Sequence, residues 1–251
     1  MKTPDSHNRR KWIWFDLDDT LIDFHTNSRL AHKLLFDEQE GFGHIFHDVS
    51  DWLNAYEDHN LLLWKRYAEG EITQEFLRMD RFFTPLMTRW TRSREELETL
   101  CRYLDTHYLD LLAAQKTVIA DAKETLEEMR NMGYSIGVLS NGFTSVQHRK
   151  IESAGLKSLI DCVVLSDDIG VTKPDPRLYL YAMSVVNDLD PRNHVMVGDN
   201  FSTDIRGAVA AGWGNVWFNP KGKSADLGTE GARNASIRSL SELKKVITDL
   251  F

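Results

Sequence analysis

Two patterns of hydrophobic and polar positions divide the chain. Residues 120–218 alternate short apolar runs with amphipathic helical segments, whereas residues 25–112 show helical periodicity with no strand signal. The short runs are rich in β-branched and aromatic residues, which is typical of buried strands. Strands that alternate with helices predict a parallel, doubly wound sheet. The sequence therefore predicts an α/β fold with a helical block inserted into it.

Five strands and five helices are predicted for the α/β part. The strands occupy about residues 12–15, 134–139, 162–165, 194–197 and 215–218. The helices occupy about residues 120–132, 144–154, 177–187 and 202–211, with a last one that starts at Ser239 in a capping box with Glu242. Residues 1–10 are expected to be a disordered lead-in, and residues 220–234 are expected to be a loop.

The inserted block predicts a small bundle of four helices. They span about residues 27–40, 48–69, 74–87 and 93–113. Gly70 suits a left-handed cap at the end of the second helix, and Ser93 with Glu96 forms a capping box for the fourth. Arg78 and Arg81 could reach a bound ligand, but we expect them on a solvated helix face. The expected domains are residues 1–22 with 113–251 as the core and residues 23–112 as the insertion.

Composition limits the cellular compartments and the kinds of partner that we expect for this protein. Hydrophobic residues make up 42% of the 251 positions and charged residues 27%, which describes a globular protein. No run is long enough to span a bilayer and the N-terminus lacks a signal-peptide core, so no membrane partner is expected. The net charge of −8 argues against a nucleic acid polymer as partner. Cys101 and Cys162 are too few for a disulfide framework, which favours the cytoplasm.

Carboxylates end the first predicted strand. Asp16 and Asp18 follow an apolar run, and open parallel sheets bind ligands beyond the carboxyl ends of their strands. Residues two apart on a strand share a face, so both carboxylates could face one ligand. Two such charges require a cation, a shared proton or hydrogen-bond donors. The alternative is an acidic turn that caps the next helix.

Three later stretches each follow a strand or a stiff loop. They are Ser140-Asn141-Gly142, Lys173-Pro174-Asp175-Pro176 and Gly198-Asp199-Asn200-Phe201-Ser202-Thr203-Asp204. Taken singly, each has an ordinary explanation as a turn, a solvated loop lysine or a helix N-cap. Together with Asp16-Leu17-Asp18-Asp19-Thr20 they resemble, in order and spacing, the four motifs of the haloacid dehalogenase-like hydrolase superfamily. The resemblance covers nearly the whole chain.

The resemblance implies a covalent phosphatase mechanism. Asp16 would be the nucleophile that forms an aspartyl-phosphate, and Asp18 the general acid and then the general base. The implied cofactor is Mg²⁺, with the Asp16 carboxylate, the Asp18 backbone carbonyl and the Asp199 carboxylate as ligands. Lys173 would supply a fixed positive charge to Asp16 and to the phosphoryl oxygens.

The same resemblance implies a phosphate cradle and two supporting residues. Phosphoryl oxygens would be held by Ser140, Asn141, Gly142 and Lys173. Asp204 would orient metal-bound water or Lys173, and Thr20 is expected to support the site. The helical block resembles a cap of the superfamily, a lid that excludes water and selects substrates.

Two features narrow the expected substrate, a small phosphate monoester. Dehalogenases of the superfamily lack the second carboxylate because a halide needs no proton, so Asp18 points to phosphoryl chemistry. The stretches Asn60-Leu61-Leu62-Leu63-Trp64, Gly70-Glu71-Ile72-Thr73, Asp80-Arg81-Phe82 and Ser140-Asn141-Gly142-Phe143-Thr144 resemble bacterial pyrimidine 5′-nucleotidases. The expected enzyme is a nucleoside 5′-monophosphate phosphatase, a monomer or weak homodimer.

Three alternatives remain open. One is a sugar-phosphate or phosphoglycolate phosphatase on the same scaffold, and another is a phosphomutase, which would have to hold a bisphosphate and exclude water. The third is a binding protein that has lost catalysis. Such a protein should lack a catalytic carboxylate or Lys173, and none of these is missing.

Overall fold

The computed structural model describes residues 10–39, 41–225 and 233–251. These residues group into two units. The sheet unit runs up to Phe24 and continues over Lys116–Phe251, and the helical unit is His25–Gln115. Most of the expected lead-in, and residues 226–232 of the expected loop, lie outside the described residues. Within the described ranges, no helix is both long and apolar enough to cross a membrane.

A six-stranded parallel sheet forms the centre of the sheet unit. Its strands are β1 (Trp12–Phe15), β2 (Ser135–Ser140), β3 (Cys162–Leu165), β4 (His194–Gly198), β5 (Gly214–Phe218) and β6 (Asn234–Ile237). The order is β3-β2-β1-β4-β5-β6, and every pair is parallel. The order reverses beside β1, which is where doubly wound sheets bind their ligands. The predicted α/β fold with a parallel sheet is confirmed.

The helices divide between the two units. In chain order they are α1 (Phe24–Glu38), α2 (Phe42–Ile45), α3 (Val49–Ala68), α4 (Gln74–Met87), α5 (Arg94–Ala113), α6 (Ala122–Asn131), α7 (Thr144–Ser153), α8 (Pro176–Val185), α9 (Arg206–Ala210) and α10 (Leu243–Val246). Helices α2–α5 lie in the helical unit, together with all of α1 except its first residue. Helices α6–α10 lie in the sheet unit.

Strand β1 is covered on both faces, which explains its continuous apolar sequence. Ile13 and Phe15 pack in one hydrophobic cluster with residues of α6 and α10. Trp14 packs in a second cluster on the opposite face with Tyr179 of α8. Ile13, Trp14 and Phe15 are all fully buried. The strand is thus held from both sides where the catalytic candidates begin.

The helical unit contains the predicted helix caps and a buried ion pair. The predicted caps at Gly70, with φ of 73°, and at Ser93 are present. Arg81 does not lie on a solvated face as we expected, since its side chain is buried and paired with Asp105 of α5. The rings of Phe82 and Tyr108 also lie under its guanidinium, at 5.4 and 5.2 Å. That expectation was wrong because helical spacing does not reveal a partner on another helix.

Four local features differ from the sequence prediction. Helix α2 and strand β6 were not predicted, since α2 has only four residues and β6 is a half-exposed edge strand. The helix predicted from residue 202 begins as a π-helix, Phe201–Ile205. At the last helix, the Ser239 hydroxyl accepts a hydrogen bond from the Ser241 N–H, and the Glu242 carboxylate accepts one from the Arg238 N–H. The predicted capping box between Ser239 and Glu242 is therefore wrong.

Candidate active site

Three carboxylates converge where β1 and β4 end. Asp16 follows β1, and its N–H donates to the Val197 carbonyl at 2.9 Å, which ties it to the end of β4. Asp199 follows β4, and Asp204 lies in the π-helix after it. One oxygen of each carboxylate lies within 4.8 Å of the others. The pairing of β1 with β4 therefore brings together residues that are far apart in sequence.

Lys173 lies against two of these carboxylates. Its ammonium contacts Asp16 Oδ1 and Asp204 Oδ1, both at 2.7 Å. It also donates to the Leu139 carbonyl at 2.8 Å. These three partners match the three N–H donors of an ammonium. The side chain is 3% exposed, so its charge is fixed beside Asp16 within the protein.

Burial and mutual repulsion act on the ionisation of these groups. Burial raises the pKa of Asp16 well above its ordinary value; Lys173 lowers it, while Asp204 and Asp199 add to the increase. Burial, with Asp204 and Asp19, raises the pKa of Asp199 to about 7. Burial lowers the pKa of Lys173, but Asp16 and Asp204 outweigh it and the net shift is upward. A negative charge at Asp16 or Asp199 is therefore unfavourable here unless a cation compensates it.

The donor set fits a divalent cation. Three carboxylates and one ammonium leave an excess of two negative charges when all four groups are ionised. All the candidate ligand atoms are carboxylate oxygens, which hard cations such as Mg²⁺ prefer. Asp204 is already engaged through both oxygens, by Lys173 and by the Asn200 N–H at 3.0 Å. Asp16 and Asp199 are thus the carboxylates better placed to hold the ion.

Asn141 fixes the loop that carries Lys173, and Gly198 leaves space for the Asp204 carboxylate. The Asn141 Oδ1 accepts from the Lys173 N–H at 2.7 Å, and Nδ2 donates to the Lys173 carbonyl at 3.0 Å. Asn141 therefore holds the loop that carries Lys173, a role that the sequence did not indicate. At Gly198, an added Cβ would lie 2.3 Å from Asp204 Oδ2. Glycine at this position lets the Asp204 carboxylate approach the backbone.

Thr20 lies against the backbone of Asp199. Its side chain is fully buried, and its Oγ1 accepts from the Asp199 N–H at 3.1 Å. The same hydroxyl lies 3.5 Å from Asp199 Oδ1. Thr20 thus joins the turn after β1 to the end of β4.

Asp18 lies beyond strand β1 and forms an isolated β-bridge with Ile22. Strand β1 ends at Phe15, and the chain reverses at Asp19, whose φ is 60°. The strand alternation we used to place both carboxylates on one face therefore stops before Asp18. Its Oδ1 is paired with the Lys150 ammonium, and its Oδ2 accepts from Gln147 Nε2 at 2.9 Å. Both partners lie on α7.

Ser140 and Gly142 are also tied to Gln147. Ser140 Oγ accepts from Gln147 Nε2 at 2.8 Å and from the Gly142 N–H at 3.2 Å. Its own hydroxyl hydrogen can donate to a phosphoryl oxygen. An added Cβ at Gly142 would lie 2.1 Å from Gln147 Nε2, so the glycine makes room for that amide.

The sequence did not reveal Gln147 and Lys150, although it held a signal for them. They lie three residues apart on α7, and both are buried, at 1% and 3% exposed, beside the apolar residues Val146 and Ile151. Residues at this spacing share a helix face. An amide and an ammonium on the inward face of an amphipathic helix therefore mark a buried polar contact.

Comparison with known proteins decides the family. The family model of haloacid dehalogenase-like (HAD) hydrolases matches residues 11–212. The chain is an HAD hydrolase. The pyrimidine 5′-nucleotidase YjjG of Escherichia coli (strain K12) is 29% identical to it over 241 residues, which cover 94% of this chain and 97% of YjjG. A glyceraldehyde 3-phosphate phosphatase of Pyrococcus furiosus is 30% identical over 245 residues, covering 95% and 93%.

A solved structure agrees on the fold. The crystal structure of the HAD hydrolase YfnB of Bacillus subtilis, bound to magnesium, superposes with a TM-score of 0.79 and covers 96% of this chain and 100% of that chain. Its sequence identity is 23%, so it shows the fold alone. The HAD hydrolase described here belongs to the phosphoric monoester hydrolases, consistent with its two carboxylates, Asp16 and Asp18.

The site residues predicted from the sequence lie in the sheet unit of this HAD hydrolase, at or just after the ends of β1, β2 and β4 or in the Lys173 loop. Lys173 contacts both Asp16 and Asp204 directly. Asp18 contacts α7 and Asn141 contacts the Lys173 backbone. The individual catalytic and binding roles of these residues stay predictions.

Proposed function

We propose that this HAD hydrolase is a Mg²⁺-dependent phosphatase that uses Asp16 as its nucleophile. The observation that carries the proposal is the surroundings of the Asp16 carboxylate. One oxygen is 2.7 Å from the Lys173 ammonium, and the carboxylate lies within 4.8 Å of Asp199 and Asp204. A nucleophile that attacks a phosphate dianion is itself negative, so the site must neutralise charge. The fixed ammonium and a bound divalent ion meet that requirement.

In the first half of the reaction, an Asp16 oxygen forms a bond to phosphorus while the bond from phosphorus to the leaving oxygen breaks. Asp18, protonated at this stage, gives its proton to the leaving oxygen, and an alcohol departs. The Lys173 ammonium keeps its protons and offsets the charge on Asp16 and the phosphoryl oxygens. The Ser140 hydroxyl and the backbone at Gly142 orient the phosphoryl group.

In the second half, a water oxygen attacks phosphorus and its proton passes to Asp18, which now acts as a base. The bond between Asp16 and phosphorus breaks, and inorganic phosphate leaves. Asp16 returns to its starting state and Asp18 is protonated for the next cycle. Each group therefore ends the cycle as it began.

Asp16 and Asp199, with the main-chain carbonyl of Asp18, are the residues we propose to hold Mg²⁺. The ion would supply positive charge to the phosphoryl oxygens. The two uncompensated negative charges of the carboxylate group support this assignment, as does the oxygen-only donor set.

We propose a pyrimidine nucleoside 5′-monophosphate as the preferred substrate. The likeness to YjjG over 94% of the chain supports it, together with the sequence stretches that resemble this subfamily. The likeness to a glyceraldehyde 3-phosphate phosphatase, at 30% identity, favours a sugar phosphate as the second candidate. The free state of Cys101 and Cys162 agrees with a reducing cytoplasm, where we expect the enzyme to act as a monomer or weak homodimer.

The test is kcat/KM with Mg²⁺ across pyrimidine and purine monophosphates, glyceraldehyde 3-phosphate, other sugar phosphates and phosphoglycolate. We expect a pyrimidine nucleotide to give the highest value, and Asp16→Asn to be inactive on every ester. A tenfold higher value for another class, about 1.4 kcal/mol in transition-state binding, would contradict the nucleotide assignment alone. Failure to hydrolyse any ester would contradict the phosphatase assignment.

A further inference from the structure

Lys150 is a second buried lysine beside the catalytic carboxylates. Its side chain is 3% exposed, and its ammonium is paired with Asp18 Oδ1. It also donates to Gln147 Oε1 at 2.9 Å and lies 5.2 Å from the centre of the Phe24 ring. Two hydrogen bonds and a ring face surround this ammonium inside the sheet unit. Lys150 is therefore placed to act on Asp18, whereas Lys173 is placed to act on Asp16.

Gln147 completes a frame around the same carboxylate. Its Nε2 donates to Asp18 Oδ2 at 2.9 Å and to Ser140 Oγ at 2.8 Å, while its Oε1 accepts from Lys150. Both oxygens of Asp18 are thus held by donors that project from one face of α7. A carboxyl group held at both oxygens cannot rotate freely about its Cβ–Cγ bond.

We propose that Lys150 and Gln147 are positioning residues that fix the Asp18 carboxyl for proton transfer to the leaving oxygen. The proposal rests on the phosphatase function proposed above. A carboxyl group offers about four lone-pair sites, and the two donors of α7 use two of them. The other sites can carry the proton that is transferred. Neither residue needs to touch the substrate, since each acts through Asp18.

A purely structural role predicts a different result from a positioning role. Proton donation matters for a strongly basic leaving oxygen, such as that of a nucleoside, and hardly at all for dinitrophenolate. Loss of positioning should therefore slow the hydrolysis of the first kind of ester selectively. Loss of general structure at the site should slow both kinds equally. The ratio kcat/KM is the appropriate measure, because it covers only the steps up to the formation of the aspartyl-phosphate.

The experiment compares Lys150→Met, Gln147→Met and the control Lys157→Met on a nucleoside monophosphate and on 2,4-dinitrophenyl phosphate. Lys157 is a matched control because it is paired with Glu152 of α7 but is 73% exposed. For the nucleotide, we expect roughly 10–100-fold lower kcat/KM in the first two variants, the range typical of lost supporting contacts at a site. For the dinitrophenyl ester, kcat/KM should stay close to that of the unmodified enzyme. Lys150→Arg should recover most of the loss because it keeps a cationic donor.

The double variant Asp18→Asn/Lys150→Met gives an independent readout. If Lys150 acts through Asp18, its loss should cost nothing further on the nucleotide once Asp18 is an amide. Multiplying losses in the double variant, or equal losses on both esters in the single variants, would overturn the proposal. If Lys150→Met does not fold, as judged by circular dichroism, Gln147→Met, which introduces no charge, decides the same question by the same comparison of the two esters. An unmodified enzyme that hydrolyses neither ester would instead contradict the proposed function.

Discussion

The substitution Asp199→Asn should stabilise the metal-free protein at neutral and alkaline pH. The cause is the pKa of this carboxyl, which burial, with Asp204 and Asp19, raises to about 7 from an ordinary value of 3.8. Below about pH 4 the carboxyl is protonated in both the folded and the unfolded chain, and it costs no stability. Between about pH 4 and pH 7 only the unfolded chain releases the proton, so stability falls as the pH rises. Above about pH 7 the cost is complete.

The magnitude follows from the two pKa values. The interval between 3.8 and about 7, at 1.36 kcal/mol for each pH unit, corresponds to on the order of 4 kcal/mol above pH 7. Partial exposure of Asp199 reduces this figure, so we expect a gain of roughly 2–4 kcal/mol for Asp199→Asn at pH 8. At pH 5 most of the cost has not yet developed. The advantage of the variant should therefore grow by roughly 2 kcal/mol from pH 5 to pH 8.

Urea unfolding in the presence of a chelator, at pH 5 and pH 8, measures this difference. The control is Glu152→Gln, which removes an exposed carboxylate of the sheet unit. Added Mg²⁺ should stabilise the unmodified protein more than the Asp199→Asn variant, because the variant has lost a ligand. If the variant is less stable than the unmodified protein at pH 8, or its advantage is the same at both pH values, the electrostatic reasoning is refuted.

Three further predictions concern the helical unit and the metal. Burial, with Arg81, lowers the pKa of His32 well below its usual value, and the Nδ1 atom of His32 accepts a hydrogen bond from Trp52. As the pH is lowered from about 6.5, the free energy of unfolding should therefore decrease by up to about 1.4 kcal/mol per pH unit, because only the unfolded chain binds a proton at this histidine. Urea titrations of His32→Gln should lack this contribution; an unchanged pH slope would count against it. Asp105→Asn should cost about 3–5 kcal/mol in unfolding free energy because it leaves Arg81 buried without its carboxylate, whereas Glu98→Gln should cost under about 1 kcal/mol. Excess chelator should stop hydrolysis and Mg²⁺ should restore it, and full activity in chelator would contradict the proposed cofactor.

The sheet could be predicted from the sequence where strands are buried on both faces. Strand β1 is a continuous apolar run because helices cover it on both sides, and its end at Phe15 was visible in the sequence. Strand β6 could not be predicted, because it pairs only with β5 and exposes polar side chains. The four residues of α2 are too few to show helical periodicity.

The candidate site could be predicted in part for the same kind of reason. Asp16 and Asp199 each follow a strand that its apolar sequence predicts. The two carboxylates converge because those strands are neighbours in the sheet. The contacts of Asp18 with α7 depend on packing between elements more than a hundred residues apart in the chain. The periodic position of Lys150 on α7 does not identify its partner in another element, and the burial of Arg81 against Asp105 of α5 was missed for the same reason.

The central claim is that Asp16 carries the phosphoryl group during turnover. The most direct measurement stops the enzyme with acid while it hydrolyses an ester and locates the phosphoryl group by mass spectrometry of peptides. We predict phosphorylation of the peptide at Asp16, labile at alkaline pH as expected of an acyl phosphate, and its absence from Asp16→Asn. A phosphoryl group on any other residue, or hydrolysis by Asp16→Asn at the unmodified rate, would contradict the account.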